Sequence, residues 1–247
     1  MGDRVILFHR KYPNKKISES GLRRLYLSNG IRQKQIKAEK RLSNRTISTF
    51  EFQKQEILKK LREAKQNGIP VLFCDEIAFT KRSLLMKTWS PRNVYFRLDQ
   101  SEIYSGFRTA IVAVSPDGGL VHWTAEEKVT CIKNFTPFIQ TLSQRMDGRP
   151  FCLFLDQLSV HKSAEVMSLY ESHRITPIFN IGGCPDYNCI ETVFAHCKAK
   201  FKRRRLHALV NESEFDLMEE IEKALDIITP ELVRRCFSRS YALLINA

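Results

Sequence analysis

The sequence predicts an α/β protein: a mixed five-stranded sheet flanked by helices and preceded by a basic helical arm. Two short apolar runs, Val71-Leu72-Phe73-Cys74 and Phe151-Cys152-Leu153-Phe154-Leu155, have the length and composition of buried strands, and an aspartate follows each at once. Ser115-Pro116-Asp117-Gly118-Gly119, set between two further apolar runs, marks an antiparallel hairpin. Segments of helical period separate and follow the later strands, as crossover connections require.

Each element can be justified in chain order. Ser18 to Ser28 reads as a short helix, with Leu22, Leu25 and Tyr26 on one face and Asn29-Gly30 as its stop. Residues 31–49 are basic and without period, and are expected to be a linker. Phe50 to Gln66 is a second helix, ended by Asn67-Gly68 ahead of Pro70. Val71 to Cys74 is the first strand. Residues 77–103 show no clear period and contain Trp89-Ser90-Pro91, which predicts a long excursion or a hairpin. Phe107–Val114 and Leu120–Thr124 are the hairpin strands, and Thr130–Arg145 is a helix. After the strand Phe151–Leu155, Ser163 caps a helix running to about His173. Arg174–Phe179 is the last strand, and Ile190–Arg205, Glu212–Ile228 and Pro230–Arg239 finish the chain as helices. Right-handed crossovers lay the Phe151 strand beside the Val71 strand, pointing the same way.

Composition limits the function classes. With 247 residues and 43% hydrophobic content, the chain can bury a substantial core. No apolar run approaches the roughly 20 residues of a membrane helix, and the start, Met1-Gly2-Asp3-Arg4, has no secretory pattern. Seven cysteines at irregular spacing fit a reducing compartment better than a disulfide framework, so an intracellular protein is expected. The net charge of +13 is unevenly placed. Residues 1–70 hold 18 Lys/Arg against 6 Asp/Glu, whereas residues 71–247 hold 22 against 21. A basic arm of this kind suits a polyanion, although a solvated basic helix pair has the same composition. A second cluster packs Lys198, Lys200, Lys202, Arg203, Arg204 and Arg205 into eight residues. It reads as a phosphate-contacting helix and also as a nuclear localisation signal.

The acidic residues carry the chemistry. Asp75 and Asp156 follow buried strands, and an unpaired charge cannot remain in the core. Both are therefore expected at strand carboxyl ends, where open α/β sheets place their ligand sites. Glu191 follows the turn-rich segment Gly182-Gly183-Cys184-Pro185-Asp186-Tyr187-Asn188 and opens a helix. Two strand ends and one helix start could bring three carboxylates to one point. Glu76 is expected to point away from Asp75 if the strand continues, in a supporting or structural role. Asp186 reads as a turn residue, and His161 as a hydrogen-bonded turn histidine that could also approach a metal or DNA.

The element order is that of the ribonuclease H-like fold, and three segments resemble the motifs of DDE transposases of the Tc1/mariner–IS630 group. Asp75-Glu76 after its apolar strand resembles the first motif. Leu155-Asp156-Gln157-Leu158-Ser159-Val160-His161 resembles the second, and Cys184-Pro185-Asp186-Tyr187-Asn188-Cys189-Ile190-Glu191 the third. Between Asp156 and Glu191 lie 34 residues, the spacing of one large branch of the group. Gln157, Leu158 and Cys189 depart from the usual Asn, Ala and Pro.

The resemblance implies that Asp75, Asp156 and Glu191 are catalytic and bind two Mg²⁺ or Mn²⁺ ions. It further implies cleavage of transposon ends and strand transfer into target DNA, often at TA dinucleotides, by a homodimer without a nucleotide cofactor. In a eukaryotic host the protein would work in the nucleus. Residues 50–247 would be the catalytic domain, and 1–49 an arm that keeps a remnant of a helix-turn-helix region. Arg23 and Arg24 on the Ser18 helix are expected to contact DNA, together with Lys198, Lys202, Arg203, Arg204 and Arg205. The alternatives are a domesticated, inactive DNA-binding relative and a ribonuclease H-fold nuclease without strand transfer.

Overall fold

The computed structural model describes residues 2–31, 44–81, 106–127, 130–211 and 213–246, and it divides into two compact units, 1–43 and 44–247. The first unit holds two helices, α1 (Gly2–Lys11) and α2 (Glu19–Ser28). Helix α1 has no counterpart in the sequence reading, where Val5 to Phe8 was only a short apolar run. Ser18 caps α2 by accepting from the Gly21 amide at 3.1 Å. Arg4 lies 5.4 Å from the Tyr26 ring centre, and the Phe8 and Tyr12 rings meet at 5.2 Å. Leu22 is the buried anchor of this small unit.

The second unit opens with α3 (Asn44–Gln66), whose first residues had been expected to belong to the linker. The five strands are β1 (Val71–Thr80), β2 (Phe107–Ser115), β3 (Gly119–Glu126), β4 (Phe151–Leu155) and β5 (Ile175–Phe179). Their order in the sheet is β3-β2-β1-β4-β5. The first three are antiparallel, and β4 and β5 add in parallel, as right-handed crossovers predict. Between and after the strands lie α4 (Ile132–Arg145), α5 (Ala164–Ser172), α6 (Cys189–Val210), α7 (Leu217–Leu225) and α8 (Pro230–Asn246). Helices α6 and α8 run further than the sequence suggested, and α7 is shorter. The excursion expected over residues 77–103 falls mostly outside the described residues, Trp89, Tyr95 and Phe96 included.

Strand alternation divides the core between two faces. Phe73, Ile77, Phe79, Cys152 and Phe154 pack against α3, α6, α7 and α8. Leu72, Cys74, Phe151, Leu153 and Leu155 pack on the other face with Phe135, Phe138, Val166 and Tyr170 from α4 and α5. A sheet covered on both faces must be apolar along whole strands, which explains the continuous runs in the sequence. The hairpin is tied to the helical layer at Gly119, where φ is +70° and an added Cβ would sit 2.7 Å from the Ile228 carbonyl oxygen. The neighbouring Leu120 amide donates to that same carbonyl at 3.1 Å.

Candidate active site

Strand β1 differs from expectation in a way that places the site. It does not stop at Cys74 but continues through Asp75 to Thr80, held by antiparallel pairing to β2, with Asp75 opposite Val112. Its parallel pairing to β4 ends at Phe73 and Phe154. Asp75 therefore lies inside its own strand but beyond the end of the neighbouring one. Asp75 and Asp156 each lie two residues past that last pair, so register puts them side by side at the carboxyl end of β4. Along this extension Ile77 and Phe79 are buried and Ala78 is exposed, the alternation of a strand with one covered face.

The third carboxylate arrives on α6. After β5, a loop held by Asn180 leads to the 3₁₀ turn Pro185–Tyr187, which contains Asp186, and then to the cap residue Asn188. Asn180 is buried: its Nδ2 donates to the Cys184 carbonyl at 2.8 Å, and its Oδ1 accepts the Ile181 amide at 2.8 Å. Its own carbonyl accepts Gln157 Nε2 at 2.7 Å, while Gln157 Oε1 accepts Lys162 Nζ at 2.9 Å. Gln157, a departure from the familiar motif, thus fastens the third-motif loop to the second motif. Asn188 is 1% exposed and serves two elements. Its Oδ1 accepts the Ile190 amide at the start of α6 at 3.4 Å, and its Nδ2 donates to Asp75 Oδ2 at 3.3 Å. Glu191 stands exposed in the first turn, where a negative charge suits the helix dipole.

Asp75, Asp156 and Glu191 all line one cavity of about 330 Å³, together with Gln157, Leu158, the 180–185 loop and Asn188. Among the described residues, no three His, Cys, Asp or Glu side chains are gathered tightly enough to hold a single ion. Their electrostatics differ. Burial, opposed by the Glu76 backbone hydrogen bond and reinforced by repulsion from Glu76, Glu191 and Asp156, pushes Asp75 up to about 8. Burial also acts to raise Asp156, but the hydrogen bonds from His161 Nδ1 at 2.8 Å and the Leu158 amide at 3.0 Å outweigh it and hold its pKa below the ordinary value.

His161 lies in the 3₁₀ turn Val160–Lys162 and is fully buried. Burial alone would lower its pKa, yet Asp156 and Glu76 raise it to about 9, so the ring is an imidazolium at neutral pH. Glu76 Oε1 approaches His161 Nε2 at 3.3 Å. That contact lacks hydrogen-bond alignment and acts as an ion pair. Glu76 indeed points away from Asp75, on the opposite face of β1. Neither Asn180 nor Asn188 was singled out from the sequence. For Asn180 a signal existed, since it follows the strand Ile175–Phe179 just as Asp156 follows β4.

The basic residues do not form one uniform face. On α6, Lys198, Lys200 and Arg203 are exposed and Lys202 is half-buried. Arg204 is instead bound by Glu220 on α7 through Nε and, at 2.7 Å, a terminal nitrogen. Arg205 is 3% exposed and stacks 4.9 Å from the Phe215 ring centre. Both arginines had been expected on the DNA-contacting face; Arg205 is instead buried against the Phe215 ring, while Arg204 stays partly exposed with its guanidinium engaged by Glu220. In the first unit, Arg23 and Arg24 are exposed on α2. Among the described residues, no helix is long and apolar enough to cross a membrane.

Residues 70–212 match the family described as DDE superfamily endonuclease. No curated protein matches the sequence. Among solved structures, the chain resembles the Mos1 transposase paired-end complex with left transposon end, with a TM-score of 0.63 and 13% identity over 99% of this chain and 76% of that one. It also resembles the Mos1 mariner paired-end complex with Mn, with a TM-score of 0.59 and 13% identity over 98% of this chain and 76% of that one. The catalytic domain of Mos1 mariner transposase aligns with a TM-score of 0.53 and 13% identity over 85% of this chain and 95% of that one. At such identity the likeness is one of fold, here the ribonuclease H-like arrangement of sheet and helices.

Proposed function

The chain belongs to the DDE superfamily endonucleases, and from that premise we propose that it is a metal-dependent transposase, cutting DNA at transposon ends and joining the freed 3′-OH ends to target DNA. One observation carries this reading: the carboxylates of β1, of the β4 end and of the first turn of α6 line a single open cavity. The donor set suits hard divalent cations such as Mg²⁺ or Mn²⁺, being made of carboxylate oxygens with Asn and Gln amides around them. Burial, reinforced by repulsion from the neighbouring carboxylates, lifts Asp75, and a cation in the cavity would relieve both. Asp75, Asp156 and Glu191 would hold the ions. Donors spread around a cavity fit a pair of ions better than one. When bound, such ions activate the attacking oxygen and stabilise the leaving one.

The remaining roles belong to the chain's own side chains. Asn188 fixes Asp75 relative to the helix that carries Glu191, and the Gln157–Asn180 contact holds the loop forming the cavity wall. Lys198, Lys202 and Arg203 lie further along α6 and would take the phosphate backbone of bound DNA, with Arg23 and Arg24 of the first unit as a second contact. Arg204 and Arg205 shape this region from beneath. A homodimer with DNA as its partner, residues 1–49 as the DNA-recognition arm, and a place of action wherever the host keeps its DNA complete the proposal.

The test compares the unaltered chain with Asp156→Ala on DNA carrying a pre-cleaved 3′-OH end, in Mg²⁺ or Mn²⁺. Joined products from the first and none from the variant are expected. Binding without any metal-dependent chemistry would favour the domesticated alternative, and cleavage without joining would favour a simple nuclease.

A further inference from the structure

Asp156 presents its two oxygens unequally. Oδ1 accepts both the Leu158 amide at 3.0 Å and His161 Nδ1 at 2.8 Å, which commits that oxygen to the protein. The His161 side chain is 1% exposed and its ring packs 4.6 Å from that of Phe135, so it cannot swing away. Behind it, Glu76 Oε1 stands 3.3 Å from Nε2, with 15% of the Glu76 side chain exposed. Glu76 is the residue after Asp75 on β1, and strand alternation sends it through to the opposite face of the sheet. A path of contacts therefore leaves the cavity at Asp156, passes through the buried ring, and returns to the strand that carries Asp75.

We infer that His161, braced by Glu76, is a positioning residue: it fixes the rotation of the Asp156 carboxylate so that the second oxygen is offered to a divalent ion, and it ties that orientation to β1. The inference rests on the reading of Asp156 as a metal ligand. Its physical basis is general. A ligand whose outer partner is removed must be ordered at the moment of binding, and losses of 10–100-fold in metal affinity are typical. A buried imidazole held only for packing would show no such effect.

Mn²⁺ binding by the full chain without DNA, followed through the signal of free Mn²⁺ in electron paramagnetic resonance, tests this without recourse to activity. Four variants are compared, with thermal unfolding measured on each. Asp156→Ala should abolish the tightest binding. His161→Leu should weaken it by about 10–100-fold. His161→Asn places an amide nitrogen near the position of Nδ1, and should recover most of the loss although it forfeits the ring packing on Phe135. Glu76→Gln should weaken binding less than His161→Leu does. If His161→Leu binds as the unaltered chain does while Asp156→Ala does not, the inference is overturned and the metal site stands. Equal losses in the Leu and Asn variants, in step with their unfolding temperatures, would also overturn it by showing a packing role. Binding unaffected by Asp156→Ala would overturn the metal reading and this inference with it.

Discussion

Asp75, which we propose as a metal ligand, is held at the expense of metal-free stability. Its folded pKa of about 8 lies well above the value near 4 of an unfolded aspartate. Between those two values the folded chain holds a proton that the unfolded chain releases, so metal-free stability falls as pH rises from about 4 to about 8. Asp75→Asn removes this dependence. It should raise the metal-free unfolding temperature at pH 7, by a free energy on the order of 1–3 kcal/mol, while abolishing strand transfer. It should also remove the gain in unfolding temperature that Mn²⁺ is expected to give the unaltered chain. Differential scanning fluorimetry across pH, with and without Mn²⁺, reads all of this, and a variant less stable than its parent at pH 7 would contradict it. His161 gives a pH dependence of the same sign from the opposite cause, because here the fold favours the charged form. Raised to about 9, its protonated form supports the fold fully below about 6.5, and that support is lost as pH climbs through 9.

At the scale of elements, the start of α6 joins capping to chemistry in one side chain. Asn188→Ser keeps a good cap but is too short to reach Asp75. It should lower stability by less than about 1 kcal/mol and slow strand transfer about 10-fold or more, since small misplacements of a ligand are expensive in rate. Undiminished joining would make the Asp75 contact incidental. The other end of α6 is held to α7 by Arg204 and Glu220, with Lys223 adding a 3.3 Å contact. The Arg204 bond, working against partial burial and helped by Lys223, depresses the pKa of Glu220. This support is complete above the ordinary glutamate value near 4.3, and it is lost as pH falls through the lower folded value. Arg204→Ala should cost about 1–2 kcal/mol, discounted because Arg204 is 36% exposed and the pair is screened. The deficit should shrink as low pH protonates Glu220, and should be absent when Arg204→Ala is made in a Glu220→Gln background. An Arg204 variant that loses DNA binding but no stability would return that residue to the phosphate-contacting face.

Across the whole molecule, the basic charge lies in the arm and on α6, and residues 71–247, α6 included, balance 22 Lys/Arg against 21 Asp/Glu. If Lys198, Lys202 and Arg203 each neutralise a phosphate, replacing one by alanine should weaken binding alike for all DNA sequences. The slope of log affinity against log salt should fall by about 0.9 for each contact removed. Changes at Arg23 and Arg24 that alter sequence preference would assign the first unit a different task. The sequence alone determined the strands, the hairpin and the adjacency of the Val71 and Phe151 strands, and it marked three candidate carboxylates, because strand runs, turn residues and short motifs are local patterns along the chain. Tertiary structure alone decided where β1 ends, since its extension is held by β2 and not by its own apolar run. It also decided which guanidinium groups turn inward, and that Asn188 reaches Asp75 across 113 residues of sequence. Such contacts depend on register and packing between distant segments, and a pattern read along the chain carries no record of which side chains the fold will bring together.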